Sequence, residues 1–233
     1  TEELPKRCQR LNLRQYSKYR IFPQSDLQIC GIAKDIADAI SHLHENGVLH
    51  VDVKLLNAVR VGSRHRLIDF DASIRIGAGS FAGAKFSSGM LPPEMIAEMS
   101  FEEKDMYNSY FGNAARCEKM KPKGVAGGKT TFAVKTFLTK DSYEKQNNEK
   151  GDEVLRRCQK PVEEGLPYLL VKATATIDIW SFGAVLYELH TGKTLFAMDR
   201  DDNLTDAASM KELYEWNDTK KMSKLGKVID LSA

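Results

Sequence analysis

The longest regular pattern of apolar positions lies between Asp26 and Asn46. Its apolar residues recur at steps of three and four positions: Ile29, Ile32, Ala33, Ile36, Ile40 and Leu43. This spacing places them on one face, so the pattern predicts an amphipathic α-helix with a buried stripe. Ser25 or Asp26 is suited to cap the start of this helix, and Gly47 can end it in the left-handed conformation.

Three short apolar pieces follow this helix. They are Val48-Leu49, Ala58 to Val61, and Leu67-Ile68, each too short for a helix and therefore predicted as a strand. Gly62-Ser63 separates the last two pieces and predicts a turn between them. A small hairpin is therefore expected there.

A second helix is predicted from Ala175 to Thr191, with Gly192 as its terminator. This apolar stretch contains Asp178 and Glu188, so it is typical of a buried helix rather than a membrane span. Further on, Ala207 to Trp216 is predicted to be helical, and the chain beyond it is expected to be loose.

The middle of the chain differs in composition. Residues from Ile76 to Gly89 are rich in Gly, Ala and Ser, which predicts a loop that Pro92-Pro93 ends. From about Glu98 to Gly165 the chain is polar, and Ser142 to Asp152 has the composition of a disordered segment.

Composition and charge exclude several classes of protein. Hydrophobic residues make up 42% and charged residues 28%, as in ordinary soluble domains, and the formal net charge of +2 calls for no nucleic-acid or membrane partner. The four cysteines form no CxxC pair, which argues against structural zinc. A disulfide framework is not expected in a chain of this length, so the predicted location is reducing and cytoplasmic.

Candidate chemistry is concentrated in two polar stretches. The first is HVDVKLLN, His50 to Asn57, and the second is Asp69-Phe70-Asp71 within RLIDFDAS. A phosphoryl-transfer site needs a carboxylate to orient the attacking hydroxyl, a cation for the transferred phosphate, and oxygen ligands for magnesium. Those functions can be supplied by a set of four residues, namely Asp52, Lys54, Asn57 and Asp69.

These stretches resemble motifs of the protein kinases. HVDVKLLN resembles the catalytic loop H-R-D-L-K-x-x-N, LIDFDAS is similar to the magnesium loop D-F-G, and LPPE (Leu91 to Glu94) resembles A-P-E. DIWSFGAVLYELHTGKTLF, from Asp178, resembles the long buried helix of the kinase C-terminal lobe. The motifs occur in kinase order and cover most of residues 20–94 and 165–216.

The resemblance implies a role for each residue. Asp52 would be the catalytic carboxylate and Lys54 would stabilise the transferred phosphate, while Asn57 and Asp69 would bind Mg²⁺ and, through it, ATP. A lysine at that offset is similar to the serine/threonine kinases. Two further residues would support the loop: His50 would brace it, and Asp178 would accept hydrogen bonds from its backbone. Ser87 or Ser88 would lie in the substrate-facing part of the activation segment.

The sequence also departs from the kinase pattern. Val51 replaces an Arg that commonly receives a phosphate from the activation loop, so phosphorylation of that loop is not the expected switch. Asp71 replaces the Gly of D-F-G, which is expected to restrict the loop and to add a carboxylate near the metal.

No Gly-rich nucleotide loop, strand lysine or partner glutamate precedes the catalytic loop, so an N-terminal lobe is expected upstream or as a separate chain. Phe132-Ala133-Val134-Lys135 resembles the strand lysine motif but follows the catalytic loop, and using it would require a permuted lobe.

Together these features predict a mainly α fold with small β-hairpins, an α+β protein-kinase-like C-terminal lobe. Residues 1–94 would run from near the hinge to the end of the activation segment, 95–165 would be an insertion, and 166–233 would be the truncated remainder of the lobe. The predicted activity is transfer of the ATP γ-phosphate to hydroxyls of a protein substrate.

Two alternatives stay open. One is a pseudokinase or truncated relative that acts as a non-catalytic scaffold, which the missing lobe, Val51 and Asp71 favour. The other, less favoured by the kinase-like helix and LPPE, is a small-molecule kinase of the same fold.

Overall fold

The computed structural model describes residues 26–77, 79–112, 122–124, 130–147 and 153–229. Within these ranges the chain forms a mixed α+β structure, as predicted. The helices are α1 (Asp26–Glu45), α2 (Phe101–Phe111), α3 (Ala175–Thr191), α4 (Ala207–Tyr214) and α5 (Asp218–Ile229). The strands are β1 (Val48–Leu49), β2 (Ala58–Val61), β3 (Arg64–Leu67), β4 (Ile74–Arg75), β5 (Ile96–Met99), β6 (Lys123–Gly124), β7 (Thr131–Val134), β8 (Thr139–Asn147) and β9 (Glu153–Pro161).

Helix α1 forms where the apolar stripe predicted it. Ile29, Ile32, Ile36 and Ile40 are buried in the main core. Gly47 ends the helix with φ of 67°, in the left-handed region, and its N–H donates to the carbonyl of His44 at 2.9 Å. The predicted cap Ser25 lies outside the described residues.

The strands between α1 and the polar middle form two small antiparallel pairs. Strand β1 pairs with β4, and β2 pairs with β3 from Ala58 opposite Leu67 to Val61 opposite Arg64. Gly62 and Ser63 make the turn of the β2–β3 hairpin, as predicted, while the second strand begins earlier than predicted, at Arg64.

The β2–β3 hairpin is fastened to α1 by a buried carboxylate. Asp35 accepts hydrogen bonds from the backbone N–H of His65 at 2.7 Å and contacts Nδ1 of the same residue at 3.1 Å. Arg64 adds an ion pair at 3.1 Å. Burial works to raise the pKa of Asp35, but the bonds from His65 and the charge of Arg64 outweigh it and lower that pKa.

Helix α3 crosses the main core. It begins at Ala175 and ends at Thr191, where the N–H of Gly192 donates to Glu188 at 2.9 Å with Gly192 at φ of 68°. These bounds confirm the sequence prediction. Ile177, Val185 and Leu189 pack with the isoleucines of α1 in one cluster, so the two helices predicted from sequence build the same core.

Part of the polar middle joins this core. Strands β5, β7 and β6 form a three-stranded antiparallel sheet in that order, against which α4 packs. Ile96, Phe132 and Val134 belong to the main cluster, and the ring of Phe132 lies 5.5 Å from that of Tyr214. The stretch Phe132 to Val134, which resembles the strand lysine motif, is therefore a core strand of this sheet.

The polar segment from Ser142 is structured up to Asn147, where disorder was expected. Strand β8 pairs with β9 from Thr139 opposite Pro161 to Asn147 opposite Glu153. The prediction of disorder was wrong for this part because each strand satisfies the other's backbone groups, a pairing that local composition does not reveal. Residues 148–152 lie outside the described ranges.

From Asp218 to Ile229 the chain is helical, where a loose segment was expected. Asn217 caps α5 by accepting from the N–H of Lys220 at 3.0 Å. Lys224 then pairs with Glu212 at 2.9 Å and lies 4.9 Å from the ring centre of Phe196. The prediction of a loose segment failed because α5 is a polar helix that is stabilised by contacts with residues outside it.

Candidate active site

The β2–β3 hairpin brings the two polar stretches to one place. Asn57 immediately precedes β2, and Asp69 lies two residues after β3. The N–H of Ile68 donates to the carbonyl of Asn57 at 2.9 Å, which continues the pairing beyond the hairpin. The expectation that the hairpin sets the two loops side by side is thus confirmed.

Asp178 of α3 holds the first loop from beneath. This fully buried carboxylate accepts from the backbone N–H of His50 at 2.9 Å and of Val51 at 2.8 Å, and Nε2 of His44 lies 2.9 Å from it. Val51 has a φ of 66°, a costly conformation for a β-branched residue. The predicted role of Asp178 is confirmed, and its bonds fix a strained backbone in place.

His50 braces the same loop from within, as expected. Its ring is buried and contacts the ring of Phe70 at a centroid distance of 5.0 Å. Nδ1 accepts from the N–H of Asp52 at 3.4 Å, so Nε2 carries the proton toward the carbonyl of Ile68 at 3.2 Å. His50 therefore links the loop of Asp52 to the loop of Asp69.

Asp52 is a buried carboxylate with an asymmetric environment. Its Oδ2 lies 2.8 Å from the ammonium group of Lys54 and accepts from Nδ2 of Asn57 at 3.0 Å. Its Oδ1 is buried and makes no hydrogen bond with any described residue. One oxygen is thus held in position, and the other keeps its capacity to accept a proton or a hydrogen bond.

Lys54 connects this carboxylate to the segment that precedes LPPE. Its ammonium group donates to Oγ of the buried Ser87 at 2.7 Å as well as pairing with Asp52. Of the two serines expected to face a substrate, Ser87 thus contacts the loop, whereas the Oγ of Ser88 accepts from the N–H of Leu204 at 2.9 Å. A cation and a hydroxyl therefore lie beside Asp52.

The second loop presents its acidic residues to solvent. Asp69 is exposed, with φ of 69°, and precedes the 3₁₀ turn Phe70–Ala72. Asp71 forms an ion pair with Lys85, and this contact lowers the pKa of the Asp71 carboxyl. Sequence reasoning did not identify Lys85, since nothing in the local pattern signals a partner fourteen positions away.

The side chains that the resemblance assigns to magnesium offer oxygen atoms, the donor type that this ion prefers. Asn57 uses its amide nitrogen on Asp52, which leaves its side-chain oxygen as a possible ligand next to the loop of the Asp69 carboxylate. Mg²⁺ in phosphoryl-transfer sites takes one or two carboxylates plus phosphate oxygens. Among the residues that the structure describes, no three His, Cys, Asp or Glu side chains form a metal-binding group of their own.

In chemical terms the site offers a proton acceptor next to a cation. The free Oδ1 of Asp52 can orient a hydroxyl, and Lys54 can stabilise negative charge on a group that the hydroxyl attacks. Sequence reasoning found these residues together with Asn57 and Asp69, and the structure gathers them around the β2–β3 hairpin.

Comparisons with known proteins agree with this arrangement. A family model described as "Protein kinase domain" matches residues 6–110, a range that contains both loops and LPPE. A search of curated proteins found no match. Within the described parts of the chain, no helix combines the length and apolarity needed to span a membrane.

Proposed function

We propose that the protein is a serine/threonine protein kinase, in support of which a family model described as "Protein kinase domain" matches residues 6–110. The reaction would transfer the γ-phosphate of Mg²⁺-ATP to a hydroxyl of a protein substrate. The observation that carries the proposal is the asymmetry of Asp52, whose Oδ2 is held by Lys54 and Asn57 while its buried Oδ1 has no partner among the described residues.

Each residue has a distinct task in this proposal. Asp52 orients the attacking hydroxyl and accepts its proton, while Lys54 stabilises the transferred phosphate. Asn57 and Asp69 hold Mg²⁺, which neutralises phosphate charge when bound. The serine/threonine assignment is supported by Lys54, which links Asp52 to the hydroxyl of Ser87.

We also propose that the described residues form the C-terminal lobe of the kinase fold, with residues 95–165 as an insertion. In support, α1 and α3 flank the two loops, and Asp178 bonds to the catalytic loop across that insertion. The cytoplasmic location and the preference for proteins over small alcohols stay predictions.

A non-catalytic scaffold is the second candidate. The observation in its favour is the ion pair between Asp71 and Lys85, because it sets a protein cation beside the loop that would bind magnesium. A scaffold, however, gives no physical reason to hold one oxygen of the buried Asp52 and leave the other without a partner.

The test uses the protein as its native cell makes it, with Mg²⁺, γ-labelled ATP and a panel of peptides and small alcohols. Asp52→Asn and Asp69→Asn should each lower transfer at least about 10²-fold. Asp38→Asn, which alters an exposed carboxylate on α1, is the matched control and should leave transfer unchanged. Equal turnover in wild type and both site variants would refute the proposal, and no transfer by the wild type would favour the scaffold.

A further inference from the structure

The segment between Ile76 and Leu91 is fastened to both loops of the site at neighbouring positions. Lys85 pairs with Asp71 in the second loop, and two residues later Ser87 receives the hydrogen bond from Lys54 in the first loop. The two contacts thus fix one short piece of chain against the two loops that carry Asp52 and Asp69.

This piece of chain depends on such contacts because, between the isolated bridge at Phe81 and the 3₁₀ turn Ser88–Met90, its described residues form no helix or strand. It contains Gly77, Gly79 and Gly83, and glycine gives the backbone more conformations to lose on ordering. Its ends are held by backbone bonds, from Ala82 to Val171 at 2.9 Å and from Gly89 to Asp202 at 2.9 Å. Between those bonds, the side chains of Lys85 and Ser87 provide the contacts with the site.

The charges around Lys85 favour its position. The bond to Asp71 raises the pKa of the Lys85 ammonium group, partial burial opposes this rise, and the negative charge of Asp69 and Asp52 adds to it. Lys85 is therefore charged and attracted by all three carboxylates.

We propose that Lys85 is a positioning residue of the site. Paired with Asp71, it holds the chain so that Ser87 keeps its hydrogen bond with Lys54 and Lys54 keeps its ion pair with Asp52. This inference rests on the proposed function. Asp71 and Lys85 would act as a unit, since neither has this effect without its partner. Asp71, the residue that departs from the D-F-G motif, would therefore have a structural role in the site.

The pair acts locally because both side chains are partly exposed, at 62% for Asp71 and 49% for Lys85. Exposed ion pairs add little to global stability. They can still shift a local equilibrium between a docked and an undocked segment. Loss of the Asp71–Lys85 pair should therefore speed amide exchange in residues 79–90 and leave the midpoint of global unfolding unchanged.

The experiment compares Lys85→Met, Lys85→Arg, Asp71→Asn and the double variant Asp71→Asn/Lys85→Met. Lys34→Met is the matched control because Lys34 forms an exposed lysine–aspartate pair with Asp38 on α1, away from the site. Amide hydrogen exchange at Ala82, Ser88 and Gly89 reports segment opening without any need for activity. Steady-state kinetics give kcat and the KM for Mg²⁺-ATP and for the hydroxyl substrate separately.

Lys85→Met and Asp71→Asn should each speed exchange about two- to fivefold. Each should also lower kcat about fivefold, with less change in the KM for Mg²⁺-ATP. The double variant should show exchange rates and a kcat no further from wild type than those of either single variant. Lys85→Arg should retain most of the slow exchange and most of kcat, and Lys34→Met should match wild type in both.

Unchanged exchange in both single variants would overturn the inference, and so would faster exchange with unchanged kcat. If the wild type transfers no phosphate, the proposed function fails, whereas the exchange rates still support or overturn the fastening by Lys85. The two failures are therefore distinguishable.

Discussion

Replacing Asp178 by alanine tests whether one buried carboxylate holds the loop His50 to Asn57 in place. The change removes the acceptor of two backbone N–H groups, at 2.9 Å from His50 and 2.8 Å from Val51. Both residues are buried, so their N–H groups would lose their bonds away from bulk water. Each unsatisfied group costs about 1–3 kcal/mol, so the free energy of unfolding should fall by roughly 2–6 kcal/mol.

The strained backbone at Val51 adds to this effect. A φ of 66° at a β-branched residue persists only while its surroundings impose it. Without Asp178 the loop can relax toward an ordinary conformation, which would move Asp52 away from Lys54 and Asn57. We therefore expect the variant to lose phosphoryl transfer even at temperatures where it remains folded.

The assay is urea unfolding followed by the fluorescence of Trp180 and Trp216, whose rings lie 5.8 Å apart at the end of the core. Ile179→Ala is the control, since Ile179 is exposed on the same helix and its loss should cost little. A decrease below about 1 kcal/mol for Asp178→Ala, with transfer retained, would refute the reasoning.

Two further predictions concern stability. Gly89→Ala should lower the free energy of unfolding by about 1–3 kcal/mol, because a Cβ there would lie 1.8 Å from Sδ of Met198. Gly31→Ala is the control and should not destabilise the fold, since a Cβ at Gly31 would have nothing within 4 Å. Equal urea midpoints for the two variants would contradict this reasoning. The lowered pKa of Asp35 stabilises the fold above the unfolded-state pKa, near 3.9, and this contribution is lost as pH falls through the lower folded-state pKa. Urea unfolding from pH 7 to pH 2 should therefore show a stability loss in wild type that Asp35→Asn lacks, and parallel curves would refute it.

The predictable parts of the fold are those whose signal is local. The stripe of α1 and the apolar run of α3 each lie within one segment, and Gly47 and Gly192 mark their ends. The candidate site residues could be proposed because Asp52, Lys54 and Asn57 stand at fixed offsets in one loop. The family model described as "Protein kinase domain" matches residues 6–110, the range that contains these residues.

The missed parts depend on partners that lie outside their own segment. Strand β8 is polar and is stabilised by pairing with β9, and α5 is supported by Glu212 and Phe196 from earlier parts of the chain. Lys85 belongs to the same group because its partner is Asp71. Such contacts are decided by the folded geometry rather than by local periodicity or propensity.

The contact between Asp178 and the loop of His50 and Val51 also constrains when the candidate site can form during synthesis. The bonded residues are separated by 127 and 128 positions, so the loop emerges from the ribosome long before its anchor. Chains are made at about 5–20 residues per second, which leaves the loop without its anchor for several seconds. Over that interval the exposed apolar face of α1 is a natural target for chaperones, and the arrangement around Asp52 is completed only after α3 has been made.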